Sequence, residues 1–226
     1  MGQFKNRSEA GRLLASHLES TLSRENLIVV ALPRGGVVVA EEISKRLKVR
    51  LEILIVRKLR APTQPELALG AIASGGFIYL NHQIVESLGI TNRTLANIKK
   101  KELIEVQKRE SLYQCADSKM YFLEKRLLLV DDGIATGATM EVAIRALKAA
   151  KAYSIDVAVP VATLSTVEML RRHVDHVFAL QTPFSLGAVG EFYEDFAEVS
   201  DEQVIQIFRE SKLRESKEES VNVYRK

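Results

Sequence analysis

The segment between Arg126 and Thr139 constrains the fold of this chain more than any other. It begins with an apolar run, Leu127–Val130, continues with two adjacent carboxylates, Asp131 and Asp132, and then changes to small and hydroxylated residues. A short apolar run of this kind is typical of a buried parallel strand. Because the residues that follow resume at helical spacing, the segment predicts a strand, a tight loop and a helix. Ligands of open α/β sheets bind at the carboxyl ends of the strands, which is where the two acids are predicted to lie.

The loop after the two acids has the composition of a phosphate site. Its residues are small or hydroxylated, so backbone N–H groups at the start of the next helix can close around a phosphate. Carboxylates repel phosphate, and Asp131 and Asp132 should therefore face another part of the same ligand, such as vicinal hydroxyls. A sugar 5-phosphate satisfies both demands. The alternative is a structural turn whose acids only cap the helix. The candidate phosphate-binding residues are Ala135, Thr136, Gly137, Ala138 and Thr139.

Two further strand ends carry cations. Leu27–Leu32 is predicted to be a buried strand that ends in Pro33–Gly36, and Leu51–Val56 a second one that ends in Arg57 and Lys58. Strands alternate with helices over short connections, which predicts a parallel sheet with right-handed crossovers. The three strand ends then meet at one edge of the sheet. Two cationic loops beside an acid pair and a phosphate loop suit a ligand with phosphates at both ends.

The segment Val130–Thr139 resembles the binding signature of type I phosphoribosyltransferases, which use 5-phosphoribosyl-1-pyrophosphate (PRPP). It lacks the lysine of a P-loop and the glycine pattern of a dinucleotide fold. Pro33–Gly36, Pro65–Ala71 and Gly190–Phe196 resemble a poorly assigned branch of that family. The resemblance implies an α/β fold with a mostly parallel five-stranded core sheet flanked by helices. A small hood over the sheet and a helical and hairpin insertion complete the implied fold.

The resemblance also implies an enzyme of nucleotide metabolism. It would transfer the 5-phosphoribosyl group of PRPP to a nitrogen nucleophile, expected to be a nucleobase, and release pyrophosphate. Mg²⁺ would be the cofactor, carried mostly by substrate oxygens and waters, so no protein metal site is expected. Asp131 and Asp132 would hold the ribose hydroxyls and favour a cationic transition state. The residues implied for pyrophosphate are Arg34, Gly35, Gly36, Arg57 and Lys58. The alternatives are an ordinary glycine-rich turn between strand and helix for the first three and a solvent-facing pair for the last two.

Three details of the resemblance bear on the site. The pyrophosphate loop of the family often contains a cis peptide between non-proline residues, and the matching bond is Pro33–Arg34. The 6-oxopurine branch has an Asp where this chain has Ala135, so transfer to hypoxanthine or guanine by that route is not expected. Phe184, Phe192 and Tyr193 are candidates for stacking on an acceptor ring, although packing within the hood is the favoured interpretation.

Two functions of other classes stay open. One is a regulator that senses PRPP or a nucleotide without turnover, and the other is a hydrolase of phosphorylated ribosides with water as the acceptor.

A formal net charge of +3 over 226 residues is too weak and too dispersed to indicate a nucleic-acid partner. We expect a homodimer whose ligands are PRPP and a small acceptor.

Length and composition predict a single domain over residues 1–226. Within it, residues 61–125 form the loop, hairpin and helical insertion, and the charged stretch 211–226 is predicted to be a disordered tail. The one cysteine, Cys115, excludes an internal disulfide and fits a reducing compartment. No apolar run approaches the roughly 18 residues of a membrane span. No signal peptide is visible, so we expect a cytoplasmic protein without a membrane partner.

Overall fold

The fold is built around a parallel sheet. A computed structural model describes residues 2–62, 64–65, 67–115 and 122–223. The strands of the main sheet are β1 (Leu27–Ala31), β2 (Arg50–Ile53), β6 (Arg126–Val130), β7 (Ser154–Val161) and β8 (His176–Gln181). They are arranged in the order β2-β1-β6-β7-β8, and every neighbouring pair is parallel. The predicted five-stranded core sheet is therefore confirmed.

Helices cover both faces of this sheet, which explains why its strands are apolar without alternation. The helices around it are α1 (Arg7–Glu19), α2 (Gly35–Leu47), α5 (Ala138–Ala149), α6 (Leu164–Arg171) and α7 (Asp201–Val223). Val29 packs in the core between the sheet and α1, α2 and α7, whereas the next residue, Val30, packs in the core with α5 and α6. None of the helices in the described ranges is both long enough and apolar enough to cross a membrane.

A second, antiparallel sheet contains the hairpin of the predicted insertion. Its strands are β3 (Val56–Arg60), β4 (Ala68–Ala73) and β5 (Phe77–Leu80), and they pair in that order. The helices α3 (His82–Ser87) and α4 (Asn92–Tyr113) follow and form the helical part of the predicted insertion. A Cβ on Gly70 would overlap the carbonyl oxygen of Tyr79, so the close approach of β4 and β5 requires glycine. The part of the predicted insertion at residues 116–121 lies outside the described residues.

The structure differs from the sequence prediction at the strand predicted for residues 51–56. The core strand ends at Ile53, and the chain then crosses to the second sheet. Leu54 still donates its N–H to a core carbonyl, that of Ala31, at 3.0 Å. Ile55 exchanges hydrogen bonds with Ser74 instead, and this pairing directs the chain away from the core. What looked like one strand with a cationic end is two strands in two sheets.

The C-terminal stretch also differs from its prediction. Disorder was expected from residue 211, but α7 continues to Val223. The helix is held against β2, because Lys212 Nζ donates to the carbonyl of Leu51 at 3.1 Å and to Glu52 at 2.8 Å. Glu215 in turn accepts from the N–H of Leu51 at 3.1 Å. The charged residues that suggested a solvated tail are thus paired with a buried strand, while residues 224–226 lie outside the described part.

Candidate active site at the carboxyl edge of the parallel sheet

The loop between β6 and α5 is shaped by glycine and supported from behind. β6 ends at Val130, the two acids follow, and α5 begins after Gly137, whose φ of 74° lies in the left-handed region that favours glycine. A Cβ on Gly137 would lie 2.8 Å from the Met169 side chain of α6. The Thr166 hydroxyl of the same helix donates to the carbonyl of Ala135 at 3.2 Å. Helix α6 therefore holds the loop in its bend.

A cavity of about 230 Å³ opens over this loop. Its lining consists of Asp131, Gly133–Met140 and Val189. Because the cavity lies at the N-terminus of α5, backbone N–H groups and the helix dipole favour an anion there. The hydroxyl of Thr136 is 3.5 Å from the N–H of Ala138, at the outer limit of a hydrogen bond, so the loop's own side chain competes only weakly for that donor.

The glycine loop after β1 lies directly against the acid pair. A Cβ on Gly35 would overlap the carboxylate of Asp132, and one on Gly36 would lie 2.9 Å from the Cα atom of Asp131. The Pro33–Arg34 peptide is cis, as the resemblance implied. Helix α2 begins at Gly35, so its N-terminus also points to this edge. The Arg34 guanidinium forms an ion pair with Glu198.

Two residues hold Asp132 through contacts that the sequence did not predict. The Arg7 Nε atom of α1 is 2.7 Å from Asp132 Oδ2, and the Tyr193 hydroxyl donates to the Asp132 carbonyl at 2.5 Å. The N–H of Asp132 donates to Asp131 Oδ1 at 2.9 Å. No local pattern predicts these two contacts with Asp132, because they bridge 125 and 61 residues of chain.

The cations predicted at the second strand end are placed elsewhere. Arg57 and Lys58 lie within β3 of the second sheet, not in a loop of the core sheet. Arg57 Nε donates to Glu102 of α4 at 2.9 Å, with the glutamate side chain only 14% exposed. Lys58 lies opposite Ala71 of β4. Of the three predicted cations, Arg34 is the one in the loop whose glycines contact the acid pair.

The sequence matches the phosphoribosyl transferase domain family over residues 3–195. The chain belongs to this family. The family and the type I fold predicted from the sequence are therefore confirmed.

The chain is also similar to three proteins from two organisms. Two Mycobacterium tuberculosis proteins, "Putative phosphoribosyl transferase MT0597" (strain CDC 1551 / Oshkosh) and "Putative phosphoribosyl transferase Rv0571c" (strain ATCC 25618 / H37Rv), are each 38% identical over 205 residues. The match covers 91% of this chain and 46% of theirs, so the chain spans about half the length of these curated relatives. The crystal structure of TT1426 from Thermus thermophilus is 39% identical, with a TM-score of 0.82, and the match covers 92% of this chain and 98% of that chain.

The hood of this phosphoribosyl transferase domain consists of residues 2–6 and 182–198. The two segments pair, since the N–H of Phe4 donates to the carbonyl of Phe192 at 2.8 Å. Tyr193 is only 4% exposed, with its ring 5.5 Å from that of Phe4 and 5.0 Å from that of Phe196. It is packed within the hood. Phe184, in contrast, is 98% exposed.

Burial and nearby negative charge raise the pKa values of Asp131 and Tyr193 in this domain. Burial raises the pKa of the Asp131 carboxyl well above its usual range, and the charge of Asp132 adds to the rise, while the charge of Arg7 opposes it. Burial, with the charge of Asp132 next, also raises the pKa of the Tyr193 hydroxyl, which therefore stays a donor to the Asp132 carbonyl. Shifts of this kind cluster at functional sites.

We expect the unliganded protein to lose stability as the pH rises through the raised pKa of Asp131. Between the ordinary Asp pKa of about 3.9 and the raised value, the folded protein binds this proton more tightly than the unfolded chain does. The free energy of unfolding therefore falls as the pH rises across that interval. Asp131→Asn removes the dependence and raises the melting temperature near neutral pH. Thermal unfolding across pH measures it, with the exposed Glu194→Gln as control. A parallel loss in wild type and Asp131→Asn would contradict the prediction.

Proposed function

We propose that this chain transfers the 5-phosphoribosyl group of Mg²⁺-bound PRPP to a nitrogen nucleophile and releases pyrophosphate. One observation carries the proposal: the phosphate cavity at the start of α5 and the Arg34–Gly36 loop both contact one acid pair. The family match supports PRPP-dependent ribosyl transfer in general. The two curated relatives are longer than the region that matches this chain. What we say of the activity of the whole protein is therefore also a proposal.

Each part of PRPP has a partner in this arrangement. The 5-phosphate binds the backbone N–H groups of Ala135–Thr139, and the ribose hydroxyls bind Asp131 and Asp132. The pyrophosphate binds the backbone N–H groups of Arg34–Gly36, with the Arg34 guanidinium exchanging Glu198 for the ligand. Because the side chains of Arg34 and Glu198 are 40% and 78% exposed, their ion pair is weak enough to be displaced by the multiply charged pyrophosphate group.

The chemistry is a displacement at the anomeric carbon. The bond from C1 to the pyrophosphate oxygen breaks, the bond from C1 to the acceptor nitrogen forms, and the acceptor loses a proton. Positive charge develops on the ribose ring in the transition state. The two carboxylates lie where they would stabilise that charge, and their positions are fixed before the substrate binds. Positioning and electrostatics therefore supply most of the catalysis.

Mg²⁺ enters with the substrate in this proposal. No cluster of three or more His, Cys, Asp or Glu side chains within the described ranges is arranged to hold a metal ion. Oxygen ligands are what Mg²⁺ prefers, and the cavity offers the carboxylate of Asp131. The donor set fits an ion that is held mainly by the pyrophosphate and water, and whose charge assists the departure of pyrophosphate.

A nucleobase is the acceptor that we propose. Phe184 follows β8 at the carboxyl edge of the sheet, and its ring is 98% exposed and free to stack on a planar ligand. Tyr193 cannot take that role, because its ring is packed and its hydroxyl is bonded to Asp132. Ala135 offers no acid for the 6-oxopurine route.

A reducing compartment such as the cytoplasm fits the buried free thiol of Cys115.

The test is a screen of nucleobases with PRPP and Mg²⁺, with pyrophosphate release as the measurement. We expect release that depends on one base and on Mg²⁺, and that is lost in Asp131→Asn. PRPP binding without release under any base would favour the sensing regulator instead. Liberation of ribose 5-phosphate from a phosphorylated riboside, with water as the acceptor, would favour the hydrolase.

Inorganic phosphate or sulfate should bind the backbone N–H groups of Ala135–Thr139 in crystals. Gly137→Ala should weaken the binding of ribose 5-phosphate about tenfold, because an alanine in the left-handed region costs about 1–2 kcal/mol. Calorimetry measures the affinity. Gly2→Ala is the control, since a Cβ on Gly2 meets nothing within 4 Å. Crystals in which the loop is filled by its own side chains would contradict the assignment.

A further inference from the structure

We propose that Arg7 is a positioning residue that holds the Asp132 carboxylate in the orientation that the ribose requires. The inference rests on the proposed function, and it adds a residue from the first helix to a site that the motifs place at the ends of β1 and β6.

Arg7 is fixed on three sides. Its Nε atom donates to Asp132 Oδ2 at 2.7 Å, and its Nη1 atom donates to the carbonyl of Ala197 at 2.7 Å. Its guanidinium carbon lies 3.7 Å from the ring centroid of Phe196, in the geometry of a cation–π contact. The side chains of Arg7 and Asp132 are only 11% and 15% exposed. The pair is therefore unlike an exposed ion pair, which contributes little because solvent screens it.

The contacts around Asp132 restrict its side chain mainly to rotation of the carboxylate group. Its backbone is held at both ends, by the Tyr193 hydroxyl on the carbonyl and by Asp131 Oδ1 on the N–H. Gly35 packs so closely against the carboxylate that a Cβ there would overlap it. Arg7 fixes Oδ2, and since a carboxylate accepts through both oxygens, Oδ1 is the atom that we assign to a ribose hydroxyl.

Arg7 also acts on the charge of the acid pair. Adjacent carboxylates repel each other, and this repulsion contributes to the raised pKa of Asp131, which the positive charge of Arg7 opposes. A guanidinium stays charged throughout the accessible pH range. Arg7 therefore favours the ionised form of Asp131, whose negative charge would stabilise a developing ribosyl cation.

A double-mutant cycle on PRPP affinity tests this role. Calorimetry is carried out on the wild-type chain, Arg7→Gln, Asp132→Asn and the double variant. We expect Arg7→Gln to weaken PRPP binding at least about tenfold, the size of one charge-assisted hydrogen bond. In the Asp132→Asn background the same change should alter the affinity by less than about twofold, because a residue that acts only through Asp132 has nothing left to position. Arg12→Gln is the matched control, since Arg12 of the same helix is 59% exposed and pairs with Glu42.

The outcomes separate this inference from the proposed function. If the wild-type chain does not bind PRPP, or if Asp132→Asn binds it as tightly as the wild type, the proposed function fails. If Asp132→Asn weakens binding but Arg7→Gln weakens it equally in both backgrounds, or not at all, only the positioning role is overturned. Arg7→Lys keeps the charge and should lose less affinity than Arg7→Gln. It replaces Arg7→Gln in the cycle if thermal unfolding shows that the glutamine variant does not fold.

Discussion

The double substitution of Asp131 and Asp132 by Asn should weaken PRPP binding by at least about a hundredfold. Each carboxylate is assigned a charge-assisted hydrogen bond to a ribose hydroxyl, and such bonds contribute about 1.5–3 kcal/mol each, which together correspond to about 10²–10⁴ in affinity. Turnover should fall further, because the variant also lacks the negative charge that favours the ribosyl cation. Calorimetry with PRPP and Mg²⁺ measures the first effect, and pyrophosphate release the second.

The fold should survive this change, which makes the result interpretable. Both residues follow the last residue of β6, outside the hydrogen-bonded ladder. Removing the buried charge of Asp131 stabilises the unliganded protein, and losing the ion partner of Arg7 destabilises it, so the two effects oppose each other. Thermal unfolding provides the control. An unchanged PRPP affinity in a folded double variant would refute the assignment of the acid pair.

Lys212→Met should lower the free energy of unfolding by about 2–3 kcal/mol. Glu52 is 3% exposed and relies on Lys212 and Arg50 for its charge partners, and the Leu51 carbonyl loses a donor at the same time. Removing one partner of a buried ion pair costs about 3–5 kcal/mol, and the partial exposure of Lys212 reduces that figure. Denaturant unfolding measures the loss.

Lys217→Met is the matched control for this prediction, because Lys217 is an exposed lysine on the same helix. It should leave the unfolding midpoint within the usual range of surface substitutions, about 0.5 kcal/mol. Equal midpoints for Lys212→Met and the wild type would contradict the structural role of α7. Such a result would support the disordered tail that the composition predicts from residue 211 onward.

The sequence predicts those parts of the molecule that local patterns determine. Continuous apolar runs such as Leu127–Val130 identify the core strands, because a strand covered on both faces has no polar face. The acid pair and the small residues after it identify the carboxyl edge. The resemblance to a known family supplied the cis bond at Pro33–Arg34, which no local pattern indicates.

The sequence does not predict contacts between distant segments. In the sequence, Arg7 is one more charged residue near the N-terminus, and only the fold brings Asp132 to it. The sequence predicts Arg57 at the end of a core strand, because Leu54 and Ile55, where the chain crosses to the second sheet, are as apolar as the strand itself. Lys212 belongs to a charged stretch that suggests solvation, and only β2, 160 residues earlier, gives it a partner. In each case the decisive partner is far away in the chain.

The dependence of Asp132 and Arg7 on the second segment of the hood, residues 182–198, has a consequence for synthesis. A ribosome delivers α1, β1 and the acid pair early, but Tyr193, Phe196 and Ala197, which hold Asp132 and Arg7, come about 60 residues later than Asp132. A nascent chain released before Tyr193 carries the whole binding signature without the contacts that orient it. The site is therefore completed by almost the last segment of the family domain to emerge, and a ligand can stabilise the fold only from that moment.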